Sequence, residues 1–332
     1  MARFLVVICA LFAAVAAFPA DDPVIRKLVP DGIRFNYAQT EDGIQLVDSW
    51  VKVSDLAKSA RYNPDTDNEY HLFTRLNPTL SQPIVPGDAD RLRNSHFDIS
   101  KRVIVLIHGF LGSGTADSNQ KLVPAFLAGE DVNVIVVDWS RGALWGLNGI
   151  QAGRGIARFI DWVNAVTGAS PSQYHILGFS VGGHTAGITA RHVTGEVDYV
   201  TGLDPASRWE IDEVVSPTDA RYVEVIHTSA GVNGWTEPLG QVDFYPNGGN
   251  TMPGCLVVNI ICDHQRSYEY MAESVRASGP IFIGIQCQNH HAASIGSCTL
   301  PGRLNMGGRA PKPGATGVYF LRTNRNSPFN QS

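Results

Sequence analysis

The pentapeptide Gly178-Phe179-Ser180-Val181-Gly182 sets a serine between two glycines, the spacing that presents a hydroxyl as a nucleophile on a sharp strand-to-helix turn. The glycines have a steric reason. With Cβ atoms two residues to either side of the serine, strand and helix would collide. With 33 glycines among 332 residues the pattern arises easily by chance, so its placement has to carry the argument. A serine hydroxyl attacks only with help from an imidazole, and the imidazole needs an orienting carboxylate. In hydrolases built on this turn, the acid and then the histidine follow the serine along the chain. Asp204, in Gly202-Leu203-Asp204-Pro205-Ala206, closes an apolar run and is the candidate acid. Asp212, Asp219 and Asp243 fall in loops or strand flanks and read as surface residues. His184 and His192 precede Asp204, and His227 reads as a structural hydrogen-bonder at a strand end. His264 and the His290/His291 pair remain. Spacing favours His264, tethered by Cys262 and just ahead of the helix-like Ser267–Val275, without eliminating the pair. A backbone amide in His108-Gly109-Phe110, with that of Val181, would supply two donors for an oxyanion. Taken alone, that tripeptide reads equally well as a plain turn.

These residues need a scaffold that converges them. Val103–Ile107 and Val134–Val137 are continuous apolar runs of strand length, the pattern of strands buried on both faces. Tyr174–Leu177, Val197–Leu203 and Tyr222–Ile226 complete a set of five strands. Helix-like stretches between them, such as Ile156–Val166, imply crossovers and a mostly parallel sheet flanked by helices, an α/β fold. In such sheets chemistry collects beyond the carboxyl ends of the strands, where Ser180, Asp204 and His108 stand. Residues 41–332 read as one continuous domain, preceded by a proline-punctuated arm or pro-segment at 18–40.

The chain is 44% hydrophobic and 17% charged, enough apolar material for a sizeable core and too little charge for a disordered chain. Twenty-six basic against 31 acidic residues, with no Lys/Arg cluster, argue against a nucleic-acid partner. After Met1-Ala2-Arg3 an uncharged apolar run reaches Ala17, where small residues precede Phe18-Pro19. A positive start, a short apolar core and a small-residue cut describe a secretory signal peptide over residues 1–17. The run is too short for a membrane span. Cys9 lies within it, leaving Cys255, Cys262, Cys287 and Cys298, an even set that reads as two disulfides in an oxidising compartment. Sequence-adjacent pairing, Cys255–Cys262 and Cys287–Cys298, is the expected connectivity. Asp263, His264, His290 and His291 raise a rival metal site, which the lack of a close CxxC pair disfavours. No metal or cofactor is expected.

Val103–Phe110, Val134–Trp139, Gly178–His184, Thr201–Ala206, Tyr222–Thr228, Val242–Tyr245 and Cys262–His264 with Arg266–Tyr268 stand together in one order. In this the chain resembles the pancreatic-lipase family of secreted α/β hydrolases, in particular its insect neutral lipases and phospholipase A1 branch. The resemblance implies an α/β-hydrolase fold, Ser180 as nucleophile, Asp204 as acid and His264 as base. It implies the amides of Phe110 and Val181 as oxyanion hole, and it supports the two local disulfides. Phe179 stands where many members carry His, and Gly183 where they carry Ala. Members that bind calcium place carboxylates ahead of the strand starting at Tyr222; here Asp219 remains and Ser216 takes a ligand position. About 34 residues follow Cys298, so neither a C-terminal β-sandwich nor a colipase partner is expected. The segment between the cysteines preceding the histidine is the family's lid, and Leu256–Ile261 is short and mostly aliphatic. A reduced lid goes with phospholipase A1 or galactolipase activity on lipids at an aggregated or membrane surface. A neutral triacylglycerol lipase and a non-catalytic, yolk-like lipid binder are the alternatives.

Overall fold

Val103, Val105 and Ile107 contribute to one apolar layer while Ile104 and Leu106 contribute to another, so one five-residue strand is buried on both faces. Alternation of side chains across a strand makes this the natural centre of a three-layer α/β molecule. The computed structural model describes residues 35–40, 43–48, 59–143, 148–207, 213–255, 260–276 and 282–331. Residues 1–17, read as a signal peptide, lie outside them.

A two-stranded antiparallel hairpin, β1 (Phe35–Thr40) and β2 (Gly43–Asp48), runs across residue 40. The main sheet follows: β3 (Glu69–Phe73), β4 (Gln82–Ile84), β5 (Val103–Ile107), β6 (Asn133–Asp138), β7 (Tyr174–Phe179), β8 (Tyr199–Leu203) and β9 (Tyr222–Ile226). It continues with β10 (Val242–Pro246), β11 (Ile283–Cys287), β12 (Arg303–Asn305) and β13 (Gly317–Leu321). These form an 11-stranded sheet in the order β12-β11-β13-β10-β9-β8-β7-β5-β6-β3-β4. From β13 across to β6 all neighbours are parallel, and antiparallel strands finish both edges. The five strands read from the sequence are thus the central ones. The strands beyond them were hidden by their composition: β10 carries Asp243 and ends in Pro246, and β3, beside the edge strand β4, alternates in burial.

Four long helices cover the sheet: α1 (Asp117–Gly129), α2 (Gly149–Thr167), α3 (Val181–His192) and α4 (Ile260–Arg276). Ile156, Ile160 and Val163 of α2 join Ile188 of α3 in the layer over Val103, Val105 and Ile107. Phe126 of α1 and Met271 and Val275 of α4 join Ile104 and Leu106 on the other side. Full burial of such a side chain is worth roughly 1.5–3 kcal/mol. Close approach depends on glycine. A Cβ at Gly153 would lie 2.8 Å from Ile188 Cγ2, and one at Gly129 would strike the Val275 carbonyl. Among the described residues no helix is long and apolar enough to cross a membrane.

Candidate active site

Strand β7 ends at Phe179 and helix α3 begins at Val181, leaving Ser180 as the helix N-cap at φ 57° and ψ −123°. This is a backbone conformation that L-residues rarely adopt, and such strain concentrates at functional sites. Its neighbours make it possible. A Cβ at Gly178 would collide with the Gly182 carbonyl, and one at Gly182 with the carbonyls of Ile107 and His108. The two glycines of the pentapeptide therefore let β7, the α3 entry and the end of β5 meet. The Val181 amide is the first of α3, where no intrahelical acceptor is available.

The loop after β5 lies against this turn. A Cβ at Gly109 would stand 2.9 Å from Ser180 Cβ, which puts Phe110 one peptide beyond direct contact with the serine. The loop is anchored to the end of β6. The buried His108 ring pairs through Nδ1 with Gly109 O at 3.0 Å, and its Nε2 accepts from the Trp139 amide at 3.1 Å. The Trp139 indole donates to His108 O at 2.9 Å, and the Leu111 amide to Ala143 O at 2.9 Å.

Asp204 follows β8 with φ 45°, a second strained position, and is fully buried. Its carboxylate accepts four donors. Oδ1 takes the amides of Thr228 at 2.7 Å and Ser229 at 3.1 Å. Oδ2 takes the Ser229 hydroxyl and His264 Nδ1, the latter at 2.6 Å. Gly234 packs where any side chain would strike this carboxylate. Thr228 and Ser229 stand just beyond the carboxyl end of β9, one strand over from Asp204, and were not singled out in the sequence. The rule that chemistry gathers beyond strand ends would have found them.

His264 sits within α4 rather than ahead of a helix, because the helix starts at Ile260 instead of near Ser267. The Cys255–Cys262 disulfide forms two residues earlier, and the second bridge joins Cys287 to Cys298, the adjacent pairing expected. The His264 carbonyl accepts from Ser267 Oγ at 2.9 Å, which fixes the turn that bears the ring. The Phe179 ring packs against that imidazole at a tilt of 42°, with centroids 4.5 Å apart, and edge-on to Tyr268 at 5.0 Å. Asp204 and His264 are thus bonded across 60 residues of sequence, and Ser180 adjoins them through Phe179. Ser180 Oγ itself makes no hydrogen bond to a described residue. In hydrolases the bond between a nucleophile and its base often tightens only once substrate is bound.

The other candidates take different places. His227, as expected, is structural, with Nε2 on Asp243 at 2.9 Å and Nδ1 on Trp235 O at 2.9 Å. Asp243 is therefore buried, not at the surface, because it is the partner of that ring and of the Leu239 amide at 2.8 Å. Asp219 is likewise buried, held by Arg191 Nε at 2.7 Å and the Ser216 amide at 2.8 Å; burial pushes its carboxyl above the usual range. Asp212 lies outside the described residues. His184 on α3 pairs with Ala206 O at 2.9 Å, and burial pushes its ring down to about 4. His290 pairs with Glu237 at 3.5 Å, away from Asp204's donors. Among the described residues no group of three or more His, Cys, Asp or Glu side chains could hold a metal ion.

A family model described as Lipase matches residues 45–329. The chain is similar to pancreatic triacylglycerol lipase of Sus scrofa, 32% identical over 80% of this chain and 67% of that protein. It is also similar to phospholipase A1 member A of Bos taurus, 33% identical over 77% of this chain and 61% of that one. The chain thus spans about three fifths of the length of most curated relatives it matches. Among solved structures, an esterase of Pyrococcus furiosus aligns over 60% of this chain and 76% of its own, with a TM-score of 0.35 and 11% identity. At that distance it adds nothing to the assignment. The ordered strand-end residues and a match over most of the chain have one meaning: this chain belongs to the Lipase family.

Proposed function

We propose that this protein is a secreted serine esterase that hydrolyses carboxylic ester bonds of lipids through an acyl-enzyme on Ser180. The bond between Asp204, just beyond β8, and His264 Nδ1 of α4, beside the strained Ser180, is the observation that carries the reading. With Nδ1–H held by the carboxylate, His264 presents Nε2 as the base. It takes the Ser180 proton as Oγ attacks the ester carbonyl carbon. The amides of Phe110 and Val181 receive the charge that develops on the carbonyl oxygen. The imidazolium then protonates the departing alcohol, and water, deprotonated by the same ring, releases the fatty acid. Residues 1–17 as a signal peptide and the two disulfides support secretion, with 18–40 as an arm or pro-segment and 41–332 as the catalytic domain.

For substrate class we favour phospholipids or galactolipids cleaved at the sn-1 ester. The Cys255–Cys262 bridge closes over a sequence separation of 7, so only six residues lie between the cysteines. So short an interval supports an apolar rim rather than a helical flap, leaving space for a large polar headgroup. Four of those residues, 256–259, lie outside the described residues. Triacylglycerol hydrolysis is the second reading, favoured by similarity to proteins named as triacylglycerol lipases at nearly the same identity as to the phospholipase A1. Assays of the secreted protein on phosphatidylcholine, monogalactosyl diacylglycerol and trioleoylglycerol, below and above aggregation, separate the two. Preference for the polar lipids supports the first reading; a sharp interfacial rise with trioleoylglycerol overturns it in favour of the second.

A further inference from the structure

We infer that Ser229 is a positioning residue of the proposed reaction, holding the Asp204 carboxylate and the His264 imidazole in register. The inference rests on the reading of Ser180, Asp204 and His264 given above.

Ser229 is 1% exposed, and its hydroxyl is turned onto the Asp204 carboxylate. Its amide donates to Asp204 Oδ1 at 3.1 Å while its hydroxyl donates to Oδ2, so one residue spans both oxygens of the carboxylate. An ionised carboxylate has no proton to give, which fixes the hydroxyl as the donor. The hydroxyl oxygen then stands 3.3 Å from His264 Nδ1, the nitrogen that also bonds Oδ2 at 2.6 Å. Ser229 Oγ, Asp204 Oδ2 and His264 Nδ1 therefore form a closed triangle. The carboxylate cannot rotate about Cβ–Cγ without breaking bonds to Ser229, and the ring cannot swing without leaving both oxygens.

Five further hydrogen bonds make the loop that bears Ser229 a fixed support. The carbonyl of Ser229 accepts the amides of Val232 and Gly234, each at 3.0 Å, closing a tight turn. The Ala230 amide donates to Gly249 O at 2.8 Å. Two residues earlier, His227 is locked between Asp243 and Trp235 O. Ser229 is thus held from behind by the β9 end and the β10 end together.

The chemical consequence has a sign. The Ser229 hydroxyl takes up part of the negative charge on Oδ2 through a charge-assisted hydrogen bond. Without it, that charge acts more fully on the His264 proton and favours the imidazolium, which cannot accept the Ser180 proton. Losing the hydroxyl would also free the carboxylate to turn, and small misplacements of catalytic groups cost about 10²-fold in rate. Ser229→Ala should therefore lower kcat by roughly 10–100-fold, with KM little changed, and should move the acid limb of the kcat/KM profile to higher pH.

The test is a pH–rate profile of a soluble short-chain ester for the full secreted chain, with Ser180→Ala as control and folding followed by thermal denaturation. Ser229→Thr, which keeps the hydroxyl, should restore the position of the acid limb. Should Ser229→Ala fail to fold, Ser229→Cys keeps the size with a weaker donor and should show the same upward movement. A wild-type chain without Ser180-dependent activity would overturn the reading of the site itself. With that activity present, an acid limb unmoved in the folded Ser229 variants would overturn the role of Ser229 alone, whatever their loss of stability.

Discussion

Asp204 and Gly234 fit by exclusion: a Cβ on Gly234 would fall 2.6 Å from Asp204 Cγ and 2.8 Å from Oδ2. The acid of the proposed triad is thus flat against a backbone thirty residues away in sequence, with no room for a methyl group between them. Gly234→Ala must displace either the carboxylate or the loop from Ser229 to Trp235. The expected result is a fall in kcat of about 10²-fold with a loss of stability of roughly 1–3 kcal/mol. Steady-state ester hydrolysis alongside chemical denaturation measures both.

His184 makes stability depend on pH. Burial lowers its ring from the ordinary 6.5 to about 4 in the folded chain. Between those values the unfolded chain binds the extra proton, so folding weakens as pH falls from 6.5 towards 4 and loses nothing more from this group below that. The full effect is on the order of 3 kcal/mol. In His184→Gln, which cannot titrate, urea midpoints taken between pH 7 and 4 should fall less steeply than in the parent.

A charge pair ties Lys312 to Glu224 of β9. Lys312 Nζ lies 2.6 Å from Glu224 Oε2 and donates to Gly307 O at 2.8 Å and Asn305 O at 3.0 Å. Glu224, fully buried in β9, also accepts from Tyr222 at 2.7 Å and from the Gly307 amide at 2.7 Å. Removing one partner strands a buried charge. Lys312→Met should destabilise the fold by about 3–5 kcal/mol, and adding Glu224→Gln should recover much of that loss. Denaturant titrations of the single and double variants give the comparison.

Much of this arrangement was legible in the chain because it depends on local steric necessity and on order. Gly178 and Gly182 are required by the turn whatever surrounds it. The acid and histidine could be ranked by their succession after Ser180, and the two disulfides by short separation. Burial of acidic residues was not legible. Asp219 and Asp243 look like surface carboxylates until Arg191 and His227, distant in sequence, are brought beside them. The donors on Asp204 carried one readable signal, their place just beyond the carboxyl end of a strand. Thr228 and Ser229 follow the neighbouring strand, and the parallel register of β8 with β9, Leu203 opposite Ile226, carries them to the carboxylate. Helix α4 begins earlier than the polar stretch Cys262–Ser267 suggested, since its first turns are held by the disulfide and by Asp263, which accepts the Met252 amide at 2.6 Å.

Labelling with a serine-directed fluorophosphonate, followed by peptide mapping, tests the proposed chemistry most directly. The account expects one covalent adduct, on the peptide bearing Ser180, with concurrent loss of ester hydrolysis. It expects Ser180→Ala to fold normally, take no label and retain less than about one part in 10³ of the turnover. A folded wild-type chain that takes no label, a label on another residue, or a Ser180→Ala variant with substantial activity would contradict it.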